Sequence, residues 1–79
     1  MLNLLLHRPR GFNFYRVEVT DNLFGEYLVM REWGRRGRAA GMRSTWFSNL
    51  RDAAMAADLW RRRAQRRGYA LTEQRYAER

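Results

Sequence analysis

The sequence contains no cysteine, and it has only one histidine and one proline. Without cysteine the chain forms no disulfide, no thiolate zinc site and no thiol nucleophile, which is typical of proteins in a reducing compartment. The lone His7 cannot build a metal cluster, so we expect no metal and no cofactor. No apolar run approaches the roughly 18 residues of a membrane span, and MLNLLL is too short for the apolar region of a signal peptide. We therefore expect a cytoplasmic protein that does not bind a membrane.

Residues suited to catalysis are also scarce. The serine and threonine hydroxyls have no visible base beside them. No two carboxylates share an apolar segment, which is the setting that tunes a general acid. We therefore assign no catalytic residue and expect no enzyme.

Lysine is absent as well, so all sixteen basic residues are arginine, and eight acidic residues leave a net charge of +8. Two segments carry the whole excess. Residues 31–43 have a charge of +4, residues 59–69 have +5, and the rest of the chain sums to −1. Charge concentrated in this way is typical of a surface that binds a polyanion.

The 79 residues suffice for one domain, 1–79, and are too few for two. In FYRVEV the apolar residues Tyr15, Val17 and Val19 alternate with charged ones, which is the period of a half-buried strand. EYLVMREW and MRSTWF read as two further strands, and the glycines between them predict a hairpin with a basic tip. GYALT adds an edge strand, and the chain from about residue 73 reads as a polar tail. Leu23 and Phe24 interrupt a polar loop, so we expect them to fold back onto the core.

A helix follows the hairpin. Ser48 or Asn49 can cap its first turn, and Gly68 supplies a stop. One arc carries the apolar residues that would pack on a sheet, namely Leu50, Ala53, Ala54, Ala57, Trp60 and Ala64. We assign Trp46 and Trp60 to the core. The pattern predicts an α+β fold: a small antiparallel sheet of four or five strands packed against one C-terminal helix.

The ordered set FYRVEV, LFGEYLVMREWGRRGRAAG and RRGY resembles the WGR domain over about residues 12–69. It is most similar to stand-alone bacterial members, which are related to the WGR modules of poly(ADP-ribose) polymerases. The resemblance implies DNA binding, in which the tryptophan packs on a sugar near a strand end and basic residues hold phosphates. On this chain Trp33 would be the packing residue and Arg35 the motif arginine, with Arg38 and Arg43 as further phosphate contacts.

One position departs from the family. In the family a Val or Ile usually follows the Trp-Gly-Arg tripeptide, which is residues 33–35 here, whereas this chain has Arg36. Either the hairpin tip is more open here, or the extra charge belongs to the binding surface. Trp33 also shares the strand parity of Tyr27 and Val29, so a core position is the competing interpretation of its ring.

The candidate interface combines the hairpin and the polar arc of the helix. Its members are Trp33, Gly34, Arg35, Arg36, Arg38, Arg43, Arg62, Arg63, Arg66 and Arg67. Arginine pairs bidentately with phosphate, which carries no sequence information, so we expect binding with little base-sequence specificity. The resemblance implies that the ligand is DNA, at ends, nicks or another structural feature. The alternative is docking on an acidic protein partner, which would then supply the activity. The sequence does not indicate an oligomeric state, and association with the nucleoid would fit the charge.

Overall fold

The computed structural model describes residues 1–76. Its elements, in chain order, are the strands and helix β1 (Leu2–His7), β2 (Asn13–Asp21), β3 (Tyr27–Arg35), β4 (Arg38–Phe47), α1 (Leu50–Arg66) and β5 (Ala70–Tyr76).

The five strands form one antiparallel sheet in the order β4-β3-β2-β1-β5. The first four strands follow one another as a meander. Helix α1 then crosses one face of the sheet and returns the chain to the opposite edge, where β5 pairs with β1. The opposite sheet face, which we call the open face, carries no helix. The predicted fold class is confirmed.

Strand alternation decides which residues form the core. Tyr15, Val17 and Val19 of β2 are buried, and the partners of β2 add buried leucines from β1 and Val29 from β3. Helix α1 contributes Ala53, Ala57 and Ala64, which are at most 3% exposed. Because alanine is small, the helix axis lies close to the sheet. Burial of this apolar surface is the main contribution to stability.

Both ends of α1 are capped as the sequence predicts. The Asn49 side chain accepts a hydrogen bond of 2.8 Å from the Asp52 amide. At the other end Gly68 has φ +94°, a conformation that favours glycine. Its amide and that of Tyr69 donate to the carbonyls of Gln65 and Ala64. The helix therefore ends at a defined residue, and the chain continues into β5.

The turn between β2 and β3 contradicts one expectation. Leu23 and Phe24 are each 85% exposed and do not reach the core. The Asn22 side chain accepts hydrogen bonds from the amides of Phe24 and Glu26. Because a polar side chain closes this turn, its shape does not require burial of the two apolar residues.

Four other positions also differ from the prediction. Trp46 is 56% exposed because the register places it opposite Leu28, on the open face. On the helix, Leu50 and Ala54 are exposed although they were expected on the packed arc. Trp60 is only partly buried, at the margin of the core.

Strand β5 continues through Tyr76, so residues 73–76 belong to the sheet edge rather than to a polar tail. Residues 77–79 of that predicted tail lie outside the described part of the chain. Within residues 1–76, no helix is both long and apolar enough to cross a membrane.

Candidate nucleic-acid interface

Three connecting segments meet at one end of the molecule because the sheet is antiparallel and α1 runs back toward the start of β2. They are residues 8–12, 35–38 and 66–69. Together they contain seven arginines and no acidic residue. We call this the basic end. The C-terminal carbonyls of α1 also point toward it, and their partial negative charge favours nearby cations.

Trp33 lies on the helix face of β3, close to the basic end. Its ring is half-buried and packs nearly parallel to Tyr15, with centroids 6.3 Å apart and planes 15° apart. On the other side, strand β4 presents Gly41 directly opposite. A Cβ on Gly41 would stand 2.6 Å from the Trp33 Cε2 atom. Because Gly41 has no side chain, the indole of Trp33 can occupy this space.

A pocket of about 380 Å³ opens beside this ring. We call it the indole pocket. Its lining consists of aromatic and cationic side chains: Arg8, Tyr15, Arg31, Trp33, Arg43, Arg67 and Tyr69. Among residues 1–76 no acidic residue lines it, so an anion that enters meets four arginines beside three aromatic rings.

Two of these arginines face each other across the sheet. Arg31 of β3 and Arg43 of β4 are directly opposite in register. Like charges in this position destabilise a sheet. Among residues 1–76 neither arginine forms a salt bridge. An uncompensated pair of this kind is suited to an external anion.

Trp60 holds one member of that pair. The Arg31 guanidinium lies 3.5 Å from the centre of the Trp60 ring, and Arg63 lies 4.9 Å from it. Such cation–π contacts contribute about 0.5–1 kcal/mol each at exposed sites. Trp60 therefore packs against the margin of the core and also positions Arg31 at the edge of the indole pocket.

Arg8 connects the end of β1 to the end of the helix. Its Nε and Nη2 atoms donate to the Arg67 carbonyl at 3.1 and 2.8 Å. Its guanidinium also lies 4.9 Å from the centre of the Tyr69 ring. These contacts satisfy a carbonyl at the end of α1 and fix the Arg67 backbone beside the pocket.

The base of the hairpin tip is tightly packed. Gly34 has no room for a side chain, since a Cβ there would stand 2.7 Å from the Ala40 nitrogen and 2.9 Å from the Ala39 Cα. Beyond it the Arg36 amide donates to the Phe12 carbonyl at 2.8 Å. This bond ties the tip to the loop between β1 and β2, and it leaves the Arg36 side chain exposed.

The model of the WGR domain matches residues 2–76, nearly the whole chain. This chain belongs to the WGR domain family. Searches of curated proteins and of solved structures gave no match. WGR domains are a type of nucleic-acid-binding module rather than catalytic units.

Within this WGR domain, the predicted interface residues fall into three groups. Trp33, Arg43 and Arg67 line the indole pocket. The hairpin-tip residues lie at the basic end, and Arg36 and Arg38 line a separate pocket on the open face. The third group is on the helix: Arg62, Arg63 and Arg66, all exposed.

The helical group is the least available for an external ligand. Arg62 pairs with Asp58 at 3.1 Å, and Arg63 lies over Trp60. Asp58 also accepts hydrogen bonds from Arg61. These bonds, and the positive charges of Arg61 and Arg62, lower the pKa of Asp58 although partial burial opposes them. Asp58 therefore stays ionised and neutralises part of the charge on this face.

Four lining residues were not predicted, namely Arg8, Arg31, Tyr15 and Tyr69. Strand parity could have revealed Arg31, because it lies two residues from both Val29 and Trp33 and therefore shares their helix face. Nothing in the sequence indicates that Arg8 reaches the end of α1.

Proposed function

We propose that this WGR domain binds DNA at ends or nicks without catalysing a reaction. The arginines of the indole pocket would hold backbone phosphates, and the exposed edge of Trp33 would pack on a sugar or terminal base. The observation that carries this proposal is the uncompensated pair Arg31 and Arg43 beside a half-buried indole. A cytoplasmic, nucleoid-associated location would suit such a module.

The chemistry of the pocket favours phosphate over other anions. Arginine presents a planar fork that pairs bidentately with phosphate oxygens and stacks on rings. Contacts to the backbone fix position but carry no sequence information. The indole pocket contains no Asn or Gln to contact base edges. We therefore expect recognition of DNA structure with little preference for sequence.

Three DNA ligands test the proposal: a blunt-ended hairpin, a nicked dumbbell and a closed dumbbell without ends. Wild type should bind the hairpin and the nicked form more tightly than the closed form. Trp33→Ala should remove most of that preference, because a stacked base contributes about 1–3 kcal/mol. Its affinity for the closed dumbbell should change little. Fluorescence anisotropy measures each affinity.

Trp46→Ala is the matched control, since it removes an exposed tryptophan from the open face. It should bind all three DNAs like wild type. A thermal melt of each variant shows whether the fold survives. If Trp33→Ala unfolds the domain, or if it retains the preference for ends, stacking by Trp33 is refuted.

The helical arginines contribute long-range attraction in this proposal. Changing Arg62, Arg63 and Arg66 to Gln, with Arg67 of the indole pocket left intact, should lower the affinity for all three DNAs alike and flatten the salt dependence. An unchanged salt dependence would assign this face to another role.

Docking on an acidic protein partner is the competing function. The same guanidinium groups would then meet carboxylates. Absence of any DNA affinity at low salt would favour this alternative.

A further inference from the structure

A second pocket, of about 590 Å³, lies at the basic end on the open face of the sheet. We call it the open-face pocket. Its lining includes Leu5, Phe12, Phe14 and Ala39, together with two exposed arginines, Arg36 and Arg38, which we call the rim. The volume is within the usual range of about 300–1,000 Å³ for small-ligand sites. The cavity is separate from the core, because the core lies on the other face of the sheet, under α1.

Phe12 is held in an unusual conformation at this pocket. It has φ +57°, the only positive φ of a non-glycine among the described residues. Its side chain is 71% exposed. The hydrogen bond from the Arg36 amide to the Phe12 carbonyl holds the loop in this shape. An aromatic residue in a left-handed conformation is unfavourable, and the exposed ring gains little burial in return. Such outliers often mark functional sites.

Phe12 lines both the open-face pocket and a neighbouring one, and arginines line each of them. A shallow pocket lined by Gly11, Phe12, Arg35 and Arg36 adjoins the open-face pocket. Within residues 1–76 no salt bridge involves Arg35, Arg36 or Arg38.

Among the described residues one carboxylate lines the open-face pocket, and it is already engaged in an ion pair. Glu32 pairs with Arg16 at 3.3 Å. It therefore does not neutralise the arginines of the rim. The pocket combines an apolar interior with free cations at its mouth.

Arg8 connects the two pockets. It lines both the indole pocket and the open-face pocket. The ring of Trp33 lies on the helix face of β3, and the turn between β3 and β4, at Arg36 and Gly37, lies at the same end of the sheet. A DNA strand bound at the indole pocket would reach the open-face pocket by passing Arg8 and the hairpin tip. Arginines line this path.

Aromatic rings between arginines are the usual means of binding single-stranded nucleic acid. Bases stack on the rings, and the cations follow the backbone. An apolar interior accepts a base, and the arginines of the rim accept its phosphates. Continuity with the indole pocket favours this ligand over an acidic peptide, which would have no need of the second pocket.

We propose that the open-face pocket binds an unpaired nucleotide adjoining the duplex end, as in an overhang or flap. This rests on the proposed function, since it places the duplex end at the indole pocket. The domain then distinguishes a tailed end from a blunt one.

The test compares a blunt DNA hairpin with the same hairpin carrying a three-nucleotide single-stranded tail, either 5′ or 3′. Wild type should bind one of the tailed forms about five- to tenfold more tightly. Phe12→Asn should abolish this gain and leave blunt-end affinity unchanged. Asparagine tolerates positive φ, so the loop keeps its shape. Phe24→Asn is the matched control, because it removes an exposed phenylalanine from the opposite end of the sheet, and it should keep the gain.

Tails with abasic sites distinguish the contribution of the bases to binding from that of the phosphates. A tail with abasic sites should lose the gain for wild type if a base occupies the pocket. A gain that survives abasic substitution, or that survives Phe12→Asn, overturns the inference. So does wild-type affinity that is equal for blunt and tailed hairpins.

The two proposals fail in different ways. Blunt-end binding without a tail effect overturns only the open-face pocket, whereas absence of binding to every DNA overturns both. Phe12-dependent binding of an acidic peptide containing aromatic residues, without a tail effect, would assign the pocket to a protein partner instead.

Discussion

A methyl group at residue 41 tests whether the indole lies where the structure puts it. In Gly41→Ala the new Cβ would stand 2.6 Å from Cε2 and 3.0 Å from Nε1 of Trp33. Carbon atoms in van der Waals contact are about 3.5–4.0 Å apart, so the ring or β4 must move by about 1 Å. Because the opposite face of the ring packs on Tyr15, it has little room to retreat.

The size of the effect follows from two opposing terms. Overpacking costs about 1–3 kcal/mol. Alanine in a strand is about 0.5–1 kcal/mol more favourable than glycine. The net loss should be about 1 kcal/mol, which lowers the Tm of a domain this small by about 4–8 °C. The displaced ring should also weaken binding to a blunt DNA end about fivefold or more, the low end of a stacking contribution.

Thermal melts by circular dichroism and anisotropy with the blunt hairpin measure both quantities. Ala40→Ser, which adds one atom at the neighbouring exposed position, is the control and should behave like wild type. In a Trp33→Phe background the smaller ring leaves space, so Gly41→Ala should cost less there. Wild-type Tm and affinity in Gly41→Ala would refute the placement of the indole.

Two further changes test the supports of the site. Asp58→Asn should lower stability slightly at pH 7, because a half-exposed ion pair contributes little. The pKa of Asp58 is lowered, so the ion pair contributes to stability above the ordinary carboxyl value of 3.8. This contribution disappears as the pH falls through the lowered pKa. Urea denaturation at pH 7 and pH 2 measures the free energy of unfolding of both proteins, and an equal loss in the variant at both pH values would contradict the ion pair. Arg8→Met removes the two hydrogen bonds to the Arg67 carbonyl and should cost about 1 kcal/mol, or about 4–8 °C in Tm. A melt like that of wild type would show that Arg8 does not hold the helix end.

The regular elements were predictable because their signals are local. Alternation in FYRVEV gives the buried face of β2, and the alanines Ala53 and Ala57 give the packed arc of α1. Gly68 ends the helix because a positive φ there favours glycine. Each of these signals depends on residues within a few positions of one another.

The tryptophans were harder to place because hydrophobicity does not reveal which sheet face the helix covers. Trp46 was assigned to the core, yet the register places it on the open face. Trp60 was also assigned to the core, and it packs only against its margin, where it contacts two guanidinium groups as well. Leu23 and Phe24 were misjudged because the Asn22 side chain closes their turn by itself.

The candidate site was predictable in part. The tripeptide and the clustered charge pointed to Trp33, Arg43 and Arg67, and the structure brings these three to one pocket. Arg31 was missed although its parity placed it on the same face. Arg8 was missed because its contact with Arg67 spans 59 positions of sequence, and no local pattern records such a contact.

The salt dependence of DNA binding tests the central claim most directly. For about 4–6 phosphate contacts, log K against log salt should have a slope near −4 to −5 for wild type. Changing Arg31, Arg43 and Arg67 to Gln should make that slope about 3 units shallower, while changing Arg51 and Arg75 to Gln should leave it nearly unaltered. A steep slope that survives the triple substitution, or DNA binding that does not respond to salt, would contradict phosphate binding at the indole pocket.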